Sequence, residues 1–308
     1  MKKNVIYLRW AKKMDESYYN FGDDLVPYLV SKLSDNCEIV FIRFTRSRFF
    51  SIVEFFKGII LRNYGLNVVK DLFISLKVKK YIISVGSIIQ AYSGSRCIVW
   101  GSGIIQKNDK IRNSTFVAVR GKYTLNRITE LGFDAPHVLG DPALLLPVIF
   151  PAKAPKRYRL GIIPHIIHYE VVKRKINAPD VLVVNLNDFD TEKIIRDICS
   201  CENTLSSSLH GLIVSHAYGI KSIWFDIEEL PLAGDNVKFY DYFSSVNIKE
   251  YNPIVFNQLI NQDIAYLLNL FNEYKDMNIV DKDILKDIQK KLILSAPFPI
   301  RKKFAEIN

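Results

Sequence analysis

Thr204-Leu205-Ser206-Ser207-Ser208-Leu209-His210-Gly211-Leu212-Ile213-Val214-Ser215-His216-Ala217-Tyr218-Gly219-Ile220-Lys221-Ser222-Ile223-Trp224-Phe225 is the stretch on which the fold reading turns. Thr204 to Leu205 reads as a buried strand, Gly211 to Ala217 as the body of a helix, and Ser222 to Phe225 as a second strand. Between strand and helix lie Ser206, Ser207, Ser208 and Gly211, small residues around one histidine. A turn of this kind places His210 at the start of a helix, where backbone N–H groups bind an anion and an imidazole passes a proton. A lone histidine is more often structural, but four small residues at a strand-to-helix switch favour function.

The same rhythm extends in both directions. In the second half, Leu160 to Ile163 and Val181 to Asn185 read as strands. Thr191 to Cys199 reads as a helix capped by Asp190, with Ile194, Ile195 and Ile198 facing inward. Asp263 to Tyr274 is an amphipathic helix from the spacing of Ile264, Leu267, Leu268 and Phe271. Ile284, Leu285, Ile288 and Leu292 form a last one. In the first half, strands are expected at Asn4 to Leu8, Glu38 to Phe44, Tyr81 to Val85, Ile98 to Trp100 and Phe116 to Val119. Helices are expected at Asp23 to Leu33, Phe49 to Leu61 and Lys122 to Leu131, the last stopped by Gly132. Strands ending in Gly/Ser turns fit parallel sheets whose C-terminal ends face a cleft. Pro147 to Lys156 holds three prolines and reads as a linker. The expected fold class is α/β, with two Rossmann-like domains, 1–150 and 151–308, facing a cleft.

Composition agrees. At 308 residues the chain suits two domains, and 49% apolar residues suffice for full cores. A formal charge of +10 favours anionic partners without choosing among nucleic acid, anionic lipid and phosphorylated metabolites. The apolar run from Val5 to Leu8 is too short for a signal-peptide core, and no run approaches a membrane span. Of the four cysteines, Cys37, Cys97, Cys199 and Cys201, most sit in apolar segments as reduced thiols would. The C-x-C pair lacks the further ligands of a zinc site, so no metal is expected. A reducing cytoplasm is the expected location.

Other candidate site residues follow strands. Asn20-Phe21-Gly22-Asp23-Asp24 offers acids at a helix start, where capping is the plainer explanation. Val85-Gly86-Ser87 and Trp100-Gly101-Ser102-Gly103 are glycine turns able to present N–H groups to an anion. Arg120-Gly121 offers a guanidinium for phosphate or carboxylate, against a plain surface salt bridge. Asp141-Pro142 is a turn that would hold Asp141 toward the cleft, and His165 follows a buried strand in Gly161-Ile162-Ile163-Pro164-His165. No G-x-x-x-x-G-K-[ST], G-x-S-x-G or H-E-x-x-H pattern occurs. Arg43, Arg46 and Arg48 interleave with Phe41, Phe44, Phe49 and Phe50, a pattern compatible with single-stranded nucleic acid. No nucleic-acid module accompanies them, so core packing with a basic edge is preferred and no nucleic-acid partner is expected.

Taken in order, NFGDDL, VGSI, WGSGI, AVRGKYT, LGDPALLLP, GIIPH and SSSLHGLIVSHAYGIKSIWF resemble the polysaccharide pyruvyl transferase family from Asn20 to Phe225. The resemblance implies two Rossmann-like domains similar to GT-B glycosyltransferases. It implies phosphoenolpyruvate as donor, without a further cofactor, and a cyclic pyruvate ketal on a hexose of a surface polysaccharide or its lipid-linked precursor. The family's arginine falls on Arg120 and its phosphoenolpyruvate-binding histidine on His210. Many members carry S-x-R-x-H; Ser208 stands at the arginine position here, so another cation, such as His165 or Lys122, is expected to replace it.

The chemistry asks for a proton donor, assigned to His210, and a group that orients or deprotonates the acceptor, assigned to Asp23. Donor binding is assigned to Arg120, Ser208, Leu209, Gly211 and His165, and acceptor binding to Asn20, Gly22, Asp24 and Ser87. Two rivals remain: a GT-B-type glycosyltransferase using a nucleotide sugar, and a non-catalytic membrane-surface scaffold whose tail, Pro297 to Phe304, touches anionic lipid. A lipid-linked acceptor would bring the protein to the inner face of the membrane.

Overall fold

The computed structural model describes residues 4–11, 19–61, 65, 68–260 and 262–305. The first half holds β1 (Asn4–Leu8), α1 (Phe21–Leu33), β2 (Cys37–Phe41), α2 (Arg48–Ile60), α3 (Val69–Lys77), β3 (Tyr81–Ile83), α4 (Ile89–Tyr92), β4 (Cys97–Trp100), β5 (Thr115–Ala118), α5 (Lys122–Glu130) and α6 (Leu146–Ile149). The second holds β6 (Tyr158–Ile163), α7 (Tyr169–Lys175), β7 (Val181–Val183), α8 (Thr191–Cys199), β8 (Cys201–Ser206), α9 (Leu209–Ala217), β9 (Lys221–Asp226), α10 (Val237–Ser245) and β10 (Ile254–Val255). Three helices close the chain: α11 (Ile264–Glu273), α12 (Lys282–Leu294) and α13 (Lys302–Ala305).

Each half builds a five-stranded sheet, and every strand pair in both is parallel. The orders are β2-β1-β3-β4-β5 and, read from the matching edge, β7-β6-β8-β9-β10. Both are the 2-1-3-4-5 order of a doubly wound sheet, whose ligand crevice lies where the winding reverses, between its first and third strands. That rule directs attention to the ends of β1 and β3 in one half and of β6 and β8 in the other.

The expected elements are present, with ends displaced by a few residues. Asp190 caps α8 as expected, accepting from the Lys193 N–H at 2.9 Å. Gly132 has φ +75, a left-handed conformation that ends α5 at no steric cost. Pro147 departs from the linker reading. It opens α6, where its missing N–H costs nothing, and the irregular stretch begins at Phe150. Helices α3, α7 and α10 carried no clear sequence signal. In α10, VKFYDYFSS is dominated by aromatic and β-branched residues with weak helix propensity; packing overrides it.

The halves share one apolar cluster, running from Leu8, Phe21 and Leu25 through Ile163, Leu212 and Trp224 to Leu292. The end of the chain returns to the first half. Trp100 Nε1 donates to Leu292 O at 3.0 Å, Phe298 packs edge-on against Trp100, and the Arg301 backbone N–H reaches Leu33 O. Phe298 and Phe304 are buried, so the two aromatic side chains of the tail are packed against protein rather than presented to lipid. No helix of the described residues is long and apolar enough to cross a membrane.

Candidate active site

The β1–α1 connection supplies the first wall. Asn20 caps α1: its Oδ1 accepts from Gly22 N–H at 3.2 Å, and its Nδ2 donates to Asp23 Oδ2 at 2.8 Å. Capping and site geometry are therefore served by one residue. Gly22 is buried against the opposite half: an added Cβ would stand 2.2 Å from His210 Nδ1. Only glycine lets the imidazole lie on this helix start. Asp23 also faces the turn after β3, where a Cβ on Gly86 would come 3.9 Å from its Oδ1.

His210 stands in the first turn of α9, at the end of β8. Its Nε2 is sealed from solvent and has no hydrogen-bond partner among the described residues. Burial first, and then the charges of Arg120, Lys238 and His165, push its pKa down to about 3. The imidazole is therefore neutral near pH 7, and an arriving anion would find cationic and basic groups acting on it. His165, following β6, is lowered to about 4 by burial, then by Lys238 and His168. Asn20, Gly22, Asp23, His165 and His210, from the ends of β1, β6 and β8, thus lie at the winding reversals of the two sheets, and the charge of Lys238 acts on both histidines.

Gly211 and Leu209 have plainer roles than donor contact. A Cβ on Gly211 would lie 2.3 Å from Ser206 Oγ and 2.8 Å from Ile163 Cγ2, so close helix–sheet packing explains the glycine. The Leu209 side chain is core, and Ser208 forms the N-cap of α9 without a side-chain capping bond.

Arg120 is fully buried rather than open to ligand. Its Nε donates to Asp241 Oδ2 at 2.9 Å, Nη1 to Ser87 Oγ at 2.6 Å and Nη2 to Ile104 O at 2.6 Å. Asp241, on α10 of the second half, also accepts from the Thr124 N–H and hydroxyl. A Cβ on Gly121 would sit 1.7 Å from Asp241 O, so α10 lies directly on this glycine. The Arg-Gly pair is therefore an interlock between the halves. It is not the surface salt bridge that was the plain alternative to a donor-binding role for Arg120, and it fixes the start of α10, whose Lys238 charge acts on His210.

Lys238 was not singled out from sequence, because an isolated lysine in an aromatic-rich segment carries no local signature. It is half-buried, and desolvation, then Arg120, lowers its pKa to about 8. Lys122, the lysine proposed to replace the missing arginine, is exposed on α5 and is not among the charges acting on His210. His168 was also missed. It accepts from Ser207 Oγ at Nδ1 (2.8 Å) when its Nε2 donates to Leu230 O (2.7 Å). Ser207 in turn accepts from the His165 N–H, so His168 anchors the loop that carries His165.

The Trp100-Gly101-Ser102-Gly103 turn is not the anion cradle expected of it, whereas Gly86 has only ordinary contacts beside it. A Cβ on Gly101 would meet Pro142 at 2.1 Å, and one on Gly103 would meet the Arg120 guanidinium at 2.4 Å. Both face protein. Asp141 likewise does not point into a cleft: it is fully buried, caps the following turn through Ala143 N–H, and is raised to about 6 by desolvation. Asp24 lies half-exposed in the first turn of α1. Among the described residues, no group of three or more His, Cys, Asp or Glu side chains assembles to hold a metal ion.

Fold and site together define a doubly wound α/β protein with basic groups and a neutral histidine where its two halves meet. Comparison with known families makes this specific. Residues 20–229 match polysaccharide pyruvyl transferase, more than half of the chain, and the protein belongs to that family. It is also 31% identical over 193 residues to uncharacterized protein L143 of Acanthamoeba polyphaga mimivirus, covering 59% of this chain and 67% of that one. Family membership assigns it to transfer of a pyruvyl group to polysaccharide.

Proposed function

We propose that the protein transfers the enolpyruvyl unit of phosphoenolpyruvate to a hexose of a surface polysaccharide or its lipid-linked precursor, forming a pyruvate ketal. The GT-B-like reading of the two halves, with residues 1–150 on the acceptor side and 151–308 on the donor side, belongs to this proposal. The observation that carries it is the neutral His210, its Nε2 unpartnered among the described residues, within the fields of Lys238 and Arg120. A small donor with two anionic ends suits that arrangement, because its charge is balanced by protein cations and raises the pKa of the imidazole beside it.

In this reading the donor lies between Lys238 and the start of α9, with His165 nearby. Lys238 takes the place of the arginine absent at Ser208. Arg120 works by holding Ser87 and Asp241 and by its field. Protonated after the anion arrives, His210 gives its proton to the methylene carbon of the donor. Positive character develops at the neighbouring carbon, and a sugar hydroxyl forms a C–O bond there while Asp23, oriented by Asn20, takes its proton. The C–O bond to phosphate then breaks with its electron pair leaving on phosphate. A second sugar hydroxyl closes the ring, and its proton returns to the site. One donor and one diol give one ketal and one phosphate. General acid assistance of this kind contributes about 10²–10⁴-fold.

Purified protein with phosphoenolpyruvate and a saccharide acceptor, read by mass spectrometry, tests the reading. An acceptor mass gain of one pyruvate ketal, lost by about 10²-fold or more in His210→Gln, is expected. Wild-type turnover in that variant would remove His210 from the reaction. Thermal stabilisation by nucleotide sugars alone would favour a glycosyltransferase instead.

A further inference from the structure

Helix α2 has two apolar faces. One, through Phe55 with Phe44, Val68 and Leu72, forms a small cluster separate from the main core. The other has no partner among the described residues: Phe49, Phe56 and Ile60 fall at i, i+7 and i+11, a single stripe, and are 70%, 57% and 77% exposed. Ile52 joins the stripe, and Phe73 on α3 is 58% exposed. With Phe50 and Leu61, this hairpin carries seven of the 14 exposed large apolar side chains of the described residues. That density marks a patch rather than the scatter every surface shows.

The charges around the patch point to what covers it. Arg46, Arg48, Lys57, Lys70 and Lys77 are exposed, whereas the two acids of the hairpin, Glu54 and Asp71, are half-buried and Asp71 pairs with Arg43. At the start of α2, Arg46, Arg48, Arg96 and Arg112 line a cavity of ≈ 690 Å³ that Phe50 also borders. Arg96 and Arg112 are held by backbone carbonyls, of Ser75, Val78, Ser93 and Ala91 among others. Among the described residues none of the four arginines pairs with a carboxylate. Fixed, uncompensated guanidiniums suit a phosphate group.

We propose that the α2–α3 hairpin docks on an anionic phospholipid bilayer. The aromatic stripe lies among the acyl chains, and the arginine-lined cavity takes a lipid headgroup phosphate. An exposed apolar face bordered by basic side chains is the physical signature of an interfacial helix, and the positive surplus draws it to anionic lipid. This contact is distinct from the Pro297 to Phe304 tail and stands independently of the pyruvyl-transfer reading, since it is measured without turnover.

Co-sedimentation with vesicles of neutral phosphatidylcholine, with and without phosphatidylglycerol, tests it. Binding should require the anionic lipid, weaken with salt, and fall at least about tenfold in Phe49→Ser/Phe56→Ser, which removes two buried aromatic contacts from the membrane. Both side chains are exposed, so an unchanged melting temperature is expected and checks the fold. Arg46→Glu/Arg48→Glu should abolish the preference for phosphatidylglycerol. Equal binding to neutral and anionic vesicles, or undiminished binding by the serine variant, overturns the proposal. So does a single-stranded oligonucleotide bound in place of vesicles, or a dimer lost in the serine variant with no vesicle binding.

Discussion

Removing one partner of the Arg120–Asp241 pair tests the interlock that places Lys238. Both side chains are 0% exposed, and Asp241 accepts three hydrogen bonds, from Arg120 Nε and from the Thr124 N–H and hydroxyl. In Asp241→Asn the shape is kept, but a buried guanidinium loses its counter-charge. Breaking a buried pair in this way costs about 3–5 kcal/mol, a large fraction of the ~5–15 kcal/mol that holds a native protein. At about 2–4 °C per kcal/mol, the melting temperature should drop by at least about 6 °C. The disturbance has a local reporter: Trp224 stacks on Phe239 of α10 with ring centroids 4.0 Å apart. Chemical denaturation gives the energy, and near-ultraviolet circular dichroism of that stacked pair shows whether α10 has shifted. The double variant Arg120→Met/Asp241→Leu removes both charges and should recover more than half of the lost stability, as apolar replacements of buried pairs commonly do. It should not recover donor binding, because Ser87 and Lys238 lose their support. A loss under about 1 kcal/mol in Asp241→Asn, or a double variant no more stable than the single one, would refute the reasoning.

Gly22→Ala should displace the imidazole, since the new methyl carbon falls 2.2 Å from His210 Nδ1. We expect turnover to fall about 10²-fold for about 1–3 kcal/mol of stability, and activity close to wild type would show that the ring is not seated there. The Lys238 pKa near 8 sets a pH dependence for donor binding. The ammonium is present below that value and lost above it, so the phosphoenolpyruvate dissociation constant should rise about tenfold per pH unit above ~8 until the bound-state pKa is reached. Lys238→Arg should flatten that rise, and an equally steep rise in the arginine variant would exclude Lys238 as its source.

Much of the site was legible because its residues mark their own surroundings. Asn20, Gly22 and Asp23 announce a helix start, and the serines before His210 announce a strand-to-helix turn. Both lie at positions where a doubly wound sheet leaves room for a ligand. What these residues do once assembled was less legible. Gly101, Gly103 and Gly121 read as open turns, yet Pro142, Arg120 and Asp241 fill the space beside them. A glycine that admits a ligand and a glycine that admits another part of the chain look alike in one dimension.

The alternation of strand and helix, the matching rhythm of the two halves and the candidate histidine were determined by the amino-acid sequence alone. These depend on hydrophobic period and turn chemistry, which act over a few residues. Tertiary structure alone decided that Arg120 is a buried strut, that the charge of Lys238 acts on His210, and that α2 keeps an apolar face uncovered by the described residues. Arg120 and Asp241 are 121 residues apart, and no local pattern couples them. Their pairing, and the desolvation that keeps His210 neutral, arise only when the two sheets pack and water is excluded from the contact between them.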